Sequence, residues 1–455
     1  MPAASTEDRA AAEVGTSAAA RPEGGRFHAW LLIAVTAALY ACACIDRQLL
    51  PLLVDPIRKD FGVSDASMGL LIGLGFSLFY SAASIPAGLM ADRGGRRGLL
   101  VASSGIWSGM TMLGGFAASF GALFATRIGV GTAEGVVTPV SYSLIRERVP
   151  LSLRGRAFSI FSMAPYLGGS LALIVGGALL SAAASGAFAG IPLLGSAKPW
   201  QAVLIVIGFF SLILTPLPLL LRRDRPIAKK EGVPGAPGFG EAIRYMWAHR
   251  RTYAPLMIYT TLSTLVVFAN GPWLPALVGR RFGMSLPEIG YTYGLVKLVA
   301  APLGLLFVGF MLDRFAANGR AIGTFGIFTT IVTLIAFALV PFAPSAEATF
   351  AIKGVGLLFC GAYAAIGAII LAARTPVRLI GKVTVIYMLF QSVLGTGMGP
   401  LAAGFLSSSV LGGDPMAIGG GMLLTTIGIG APALVGLLVL RRTLITQPLS
   451  QEPQA

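Results

Sequence analysis

Gly88-Leu-Met-Ala-Asp92-Arg93-Gly-Gly-Arg96-Arg97 lies between two apolar segments. Its outline returns far downstream in Gly309-Phe-Met-Leu-Asp313-Arg314, closed by Arg320. Each copy follows an apolar segment of membrane-spanning length, and another such segment begins directly after it. A polar string recurring at corresponding points of two hydrophobic halves indicates a duplicated membrane domain. Duplication of this kind supplies two halves that can rock around a central site, which puts transport first among the functions to consider.

The chain of 455 residues is 55% hydrophobic and only 12% charged, with 59 glycines. A soluble protein of this size carries about twice that charge fraction to keep its surface wet. The apolar residues gather into runs of about 20, the length of a bilayer core. They predict an all-α integral membrane fold of twelve transmembrane helices in two pseudo-symmetric six-helix bundles. The first six spans are expected at about residues 28–50, 67–90, 98–119, 121–145, 156–182 and 199–221. The second six are expected at about 253–279, 287–312, 321–343, 346–373, 379–408 and 415–440.

The net charge of +15 is distributed by loop rather than as a nucleic-acid-binding patch. Arg93, Arg96 and Arg97 share one loop, Arg146, Arg148, Arg154 and Arg156 flank another, and eight Lys and Arg residues fill the middle loop. The alternate loops hold only Arg58, Lys59, Lys198, Arg280 and Arg281. This positive-inside bias puts both termini in the cytoplasm, with a bacterial inner membrane as the expected location. Residues 1–26, rich in Ala, Glu and Ser without the apolar core of a signal peptide, read as a disordered cytoplasmic tail. Residues 27–221 form the first bundle, 222–252 a cytoplasmic linker, 253–441 the second bundle and 442–455 a second tail. In the linker, Ile243, Met246 and Trp247 against Arg244, Arg250 and Arg251 predict an amphipathic helix. Cys42, Cys44 and Cys360 all fall within apolar spans with no histidine nearby, and read as small buried thiols rather than metal ligands.

In the loop motif Gly88 permits close helix approach, and Asp92 can pair with an arginine or accept from a helix N-terminus. Arg93, Arg96 and Arg97 offer charge to lipid phosphates, to a carboxylate or to the other bundle. With Asp313 and Arg314 of the second copy, these residues are candidates for a conformational latch. A second echo pairs Ala164-Pro165-Tyr-Leu-Gly168-Gly169 with Gly399-Pro400-Leu-Ala-Ala-Gly404, either as bending points or as ordinary helix packing.

The loop string resembles the signature of the major facilitator superfamily, and the twelve spans and basic middle loop fit that family across essentially the whole chain. A narrower likeness runs through IDRQLLPLLVDPIRKDFGVSDASMGLLIGLGFSLFYSAASIPAGLMADRGGRR (residues 45–97) and RIGVGTAEG (residues 127–135). Both strings resemble bacterial members of the spinster group. They share the Asp-Arg pair ending span one, the Gly-Val-Ser-Asp loop, and an Arg followed seven residues later by a Glu in span four. The resemblance implies alternating access, a central cavity lined by spans one and four, and lysolipid or sphingoid-lipid substrates.

Ionisable groups inside spans are costly and usually face a cavity or a partner. Asp46 and Arg47 lie near the outer end of span one, and Arg127 lies about 9 Å below the outer end of span four by helical rise. An Asp46–Arg127 pair is therefore expected if these spans face each other. Glu134 is two turns on, roughly 10 Å deeper and on nearly the same face. A carboxylate there is expensive to hold charged, so it can take up and release a proton as Arg127 approaches and departs. Asp46, Arg47, Arg127 and Glu134 are the proton-coupling candidates, with a permanently paired structural network as the alternative.

In the second half, Lys297 meets an anionic headgroup, a carboxylate or a structural partner, while Lys353 is expected to snorkel to the outer interface. Asn270, Trp273, Tyr363 and Gln391 join Lys297 as candidate substrate-binding residues. The otherwise apolar lining favours an amphipathic or lipid-like substrate. The expected protein is a proton-coupled secondary carrier of an amphipathic, lipid-like or organic anion, acting as a monomer among membrane lipids, with the proton gradient in place of a cofactor. The alternatives are a multidrug/proton antiporter, an organic-acid symporter of the same class, or a non-transporting receptor or scaffold. His28 and His249 sit at span edges and no phosphate-binding loop is present, which argues against an enzyme and against direct ATP drive.

Overall fold

A computed structural model describes residues 26–224, 238–315 and 318–446, apart from the side chains of Asp92, Arg93 and Thr446. The expected tail before Arg26, the middle loop from 225 to 237 and the chain beyond 446 lie outside the described residues. All described secondary structure is helical. Ten helical segments are long and apolar enough to cross a membrane: Arg26–Phe61, Asp65–Ala91, Leu151–Ala184, Pro199–Leu220, Arg250–Phe282, Leu286–Arg314, Gly319–Phe342, Ala346–Arg374, Ile380–Val410 and Pro415–Ile445. Span three (Arg96–Gly114) and span four (Phe120–Glu134 continued by Val137–Arg148) complete the twelve. They fall short because one carries a basic first turn and the other is interrupted.

Serine caps set where several spans begin. Ser64, Ser119 and Ser345 each accept a backbone N–H at the third helical position of spans two, four and ten. Ser285 and Glu288 form a reciprocal capping box at the start of span eight. Spans two and eight, like four and ten, are six apart, so the duplication reaches down to the caps.

The helix packing repeats with the same offset. Span one packs on five, three on six and on four, and two on four; in the second half seven packs on eleven, nine on twelve and on ten, and eight on ten. The echoed Pro-Gly strings serve these contacts. Gly168 lies against the Ala41 carbonyl between spans five and one, and a Cβ at Gly399 would stand 2.8 Å from the Leu265 carbonyl between eleven and seven. Interruptions repeat too. Span one tightens to a 3₁₀ turn at Leu50–Leu53 around Pro51, and span seven breaks at 271–273 beside Pro272 and Pro275. Span four breaks at Gly135–Val136 and span ten at Cys360–Gly361. Span eleven carries two π-helical stretches, Gln391–Gly397 and Leu406–Val410.

Spans five and eight, and two and eleven, join the halves. Backbones touch there because side chains are missing. A Cβ at Gly69 would lie 2.5 Å from the Pro400 carbonyl, and Gly73 abuts the Gly397 carbonyl. The Ser81 hydroxyl donates to Ser392 across this seam at 2.7 Å. In the linker, Phe239–Ala248 is the expected helix, with Ile243 and Trp247 exposed and the Tyr245 hydroxyl donating to the Arg374 carbonyl at 2.9 Å.

Candidate functional site

Four ionisable side chains meet between spans one and four. Span one carries Asp46 and Arg47 just before its 3₁₀ turn, and span four carries Arg127 on its regular part and Glu134 at its break. Arg47 donates to the fully buried Glu134 carboxylate at 2.9 Å, and its guanidinium lies 4.3 Å from the Phe76 ring centroid and 4.8 Å from that of Tyr80. Arg127 donates to the backbone carbonyl of Asp46 at 3.2 Å. The Asp46 carboxyl is fully buried beside the hydroxyls of Thr111 and Ser211, and neither of its oxygens holds a hydrogen bond of ordinary geometry. The second Glu134 oxygen is likewise unpartnered. The expected Asp46–Arg127 side-chain pair is therefore not formed. Arg47, which stands next to Asp46 on the helix, takes the glutamate, and Arg127 is held by main chain.

A cavity of about 280 Å³ lies between the halves; span one reaches it through Gln48 and Pro51, whereas none of the four ionisable side chains and no residue of span four lines it, contrary to the expected lining by spans one and four. Gln48, Pro51, Pro165 and Tyr166 line it from the first half; Tyr293, Lys297, Lys353 and Tyr363 line it from the second, among apolar side chains such as Phe268, Leu305 and Leu357. The breaks of spans seven and ten, at Gly271–Pro272 and Cys360–Gly361, open onto it. Irregular backbone at membrane depth is tolerated where it faces such a cavity. Lys297 donates to Gln48 across the halves at 3.1 Å.

The structure relocates several expected residues. Lys353 does not snorkel. It is 1% exposed, with its ammonium 3.5 Å from the Phe337 ring centroid and no hydrogen-bond partner, because span ten points it into the bundle. Asn270 does not reach the cavity: it donates to the Val266 carbonyl at 2.9 Å and to Thr426 at 2.8 Å, pinning span seven to span twelve. Trp273 is also packed away, donating to the Pro400 carbonyl at 2.9 Å. Gln391 lies outside the cavity lining and accepts from Thr264.

The two ends of the bundle differ. At one end Arg280 of span seven is clamped between Asp55 of span one and Asp65 of span two, with contacts of 2.7–2.9 Å, and it also donates to the Pro415 carbonyl at 2.9 Å. This buried clasp crosses between the halves. At the other end Arg96 makes no contact with the second bundle and is bound to Glu147 of span four at 2.6 and 2.9 Å and to Asp224 at the start of the linker at 3.0 Å. The Arg97 backbone N–H reaches Asp224 at 3.3 Å. Gly88 has only Pro139 nearby, at 4.0 Å from a built Cβ, and Asp313 and Arg314 are exposed. The side chains of Asp92 and Arg93 lie outside the described residues.

Residues 36–400 match the profile of the Major Facilitator Superfamily. The chain belongs to that superfamily. Its relatives are named as transporters, and the chain is a transporter rather than an enzyme. It is 28% identical over 428 residues to the MFS-type efflux pump of Mycolicibacterium smegmatis, spanning 90% of this chain and 92% of that one. It is 24% identical over 403 residues to the 3-(3-hydroxy-phenyl)propionate transporter of Escherichia coli, spanning 87% and 88%. A bacterial homologue of the human lysosomal transporter Spinster, solved in an inward-facing and unoccupied conformation, matches with a TM-score of 0.79 at 24% identity over 93% of this chain and 99% of that one. The fold of this superfamily member is thus shared with a spinster-type carrier.

Sequence reading of this superfamily member missed Gln48, Tyr166, Tyr293 and Cys360 as cavity residues, and it missed the Arg280 clasp. The signals were present. Pro51, Gly271-Pro272 and Cys360-Gly361 are points where a membrane helix cannot run undisturbed, and such points border cavities.

Proposed function

We propose that this chain is a proton-coupled secondary transporter that moves an amphipathic, lipid-like or organic anion by alternating access. The observation that carries the reading is the fully buried Asp46 carboxyl, which has neutral hydroxyls beside it and no ion-pair partner, one helical step from the Arg47–Glu134 pair. A carboxylate in that position is costly to keep charged and uncharged forms are easily held, so it is suited to load and unload a proton. Glu134, with one oxygen bound to Arg47 and one free, is the second proton site; Arg127 fixes the span-one backbone beside them. The seam of spans two and eleven and the Arg280 clasp close one end of the bundle. The positive-inside bias makes that closed end the outer one, with both termini cytoplasmic in a bacterial inner membrane. The Escherichia coli relative named for an aromatic propionate supports an organic anion as cargo. The Mycolicibacterium relative named as an efflux pump favours export in exchange for protons.

The test is proteoliposome transport with an imposed pH gradient and a proton-sensitive dye inside. Anion addition should move protons in the wild type. Asp46→Asn should abolish proton movement while leaving counterflow of the same anion intact. Equal proton flux in wild type and in both Asp46→Asn and Glu134→Gln would remove the coupling assignment.

A further inference from the structure

The two halves can be aligned through their serine caps. Asp92 lies 28 residues beyond Ser64, and Asp313 lies 28 beyond Ser285, so the caps keep the register of the repeated loop motif. In the same way Arg127 lies eight residues beyond Ser119 in span four, and Lys353 lies eight beyond Ser345 in span ten. Glu134 and Cys360 are both fifteen residues beyond those caps, each at the break of its span. The second half has therefore kept the cation of span four but holds a thiol where the first half has the carboxylate.

The consequence is an imbalance of charge. In the first half two carboxylates face two guanidinium groups. In the second half Lys353 and Lys297 both face the cavity, and no carboxylate is among its lining residues. Cys360 cannot serve as the missing anion, since its thiol donates to the Leu357 carbonyl of its own helix at 3.6 Å. Lys353 has only the Phe337 ring against its ammonium. A buried cation without a counter-charge is destabilising, and an anion entering the cavity offsets it. Gly169 of span five leaves the room: a Cβ there would stand 2.8 Å from the Lys297 ammonium.

We propose that Lys353 and Lys297 form an anion-binding subsite for the charged head of an amphipathic substrate, which occupies the place of the carboxylate that Cys360 replaces. The apolar tail lies along Phe268, Leu305 and Leu357 of the same cavity. This assignment deepens the carrier reading and rests on it only in taking the cavity as the substrate site.

The test is calorimetric binding to the protein in phosphatidylcholine nanodiscs, without a pH gradient and with empty discs as blank. Decanoate, decanol and propionate are the probes. The wild type should bind decanoate at least tenfold more tightly than decanol and than propionate. Lys353→Gln should erase the preference for decanoate over decanol, and Lys353→Arg should keep most of it. Cys360→Glu, which restores the carboxylate of the first half, should weaken decanoate at least tenfold and leave decanol unchanged, showing an intact cavity. Equal decanoate affinity in wild type, Lys353→Gln and Cys360→Glu would overturn the subsite. Propionate binding as tightly as decanoate would overturn the tailed substrate. Lysine-dependent decanoate binding with no proton flux in the transport assay would instead fail the coupling reading alone.

Discussion

Asp65→Asn should weaken the closure of the bundle end held by the Arg280 clasp by a measurable factor. Asp65 is 3% exposed at its side chain and Arg280 6%, so their contact is shielded from solvent. Both Asp65 oxygens accept from Arg280, each at 2.8 Å, while Asp55 takes the remaining face of the guanidinium at 2.7 and 2.9 Å. Asparagine keeps the shape but turns an N–H₂ group towards the cation and leaves one neutral acceptor. Losing a hydrogen bond to a charged group costs about 1.5–3 kcal/mol net, which is roughly 10- to 150-fold in a two-state equilibrium. Arg280 joins span seven to spans one and two, so the cost falls on the closed form, provided the clasp parts when the halves rock open. Spin labels at the exposed positions Lys59 and Met416, with Cys42, Cys44 and Cys360 replaced by alanine, would report the gap between spans one and twelve by pulsed electron resonance. The longer-distance population should rise in Asp65→Asn and more so in Arg280→Gln. The double variant should add little, because both changes break the same contact. Unchanged distance distributions in folded Asp65→Asn and Arg280→Gln would refute the clasp as a determinant of closure.

Gly73→Val should open the seam between spans two and eleven, since a side chain there meets the Gly397 carbonyl. The same label pair should lengthen, and anion exchange should fall. Arg96→Ala should lower stability by about 2 kcal/mol, a value below that for a fully buried pair because Glu147 is half exposed. Thermal unfolding in detergent measures it, and an unchanged midpoint would show that the Arg96–Glu147–Asp224 contacts carry no stability.

The architecture was legible because it is written in long-range periodicity. Runs of about twenty apolar residues and a loop motif repeated in register need no tertiary information to be read as membrane helices. That Asp46, Arg47, Arg127 and Glu134 gather between spans one and four was legible, since these are the charges that the two apolar spans carry. Which charges pair was not. Arg47 takes Glu134 while Arg127 binds the Asp46 backbone carbonyl, and which partner each guanidinium meets depends on how spans one and four are rotated against each other. Lys353 was misplaced for the same reason: its position in the chain gives a depth near the span's end, but burial against Phe337 depends on which neighbour its face meets. Asn270 and Trp273 were misread because a polar group in an apolar span suits a helix-helix hydrogen bond as well as a ligand. The Asp55–Arg280–Asp65 clasp joins residues more than two hundred positions apart, and nothing local marks them as partners.

Most of the helix packing repeats with an offset of six, although spans seven and twelve pack extensively where spans one and six barely meet, and the chemistry on that frame has diverged further. Here the carboxylates stand on spans one and four, and the unbalanced ammonium groups stand on spans eight and ten. Gln48 lies between them, next to Arg47 in the chain and accepting from Lys297 at 3.1 Å. Lys297 gives one of its three N–H donors to Gln48, so an anion arriving at Lys297 lands beside Gln48, and the turn of span one that carries Gln48 also carries Arg47 and Asp46. On the proposed reading, an anion bound at Lys297 would act on the helix that carries Asp46 through this one side chain. Anion and proton would then be linked through the Gln48 turn without sharing a group, so a variant that breaks the Lys297–Gln48 contact should loosen the coupling while sparing anion binding at Lys353.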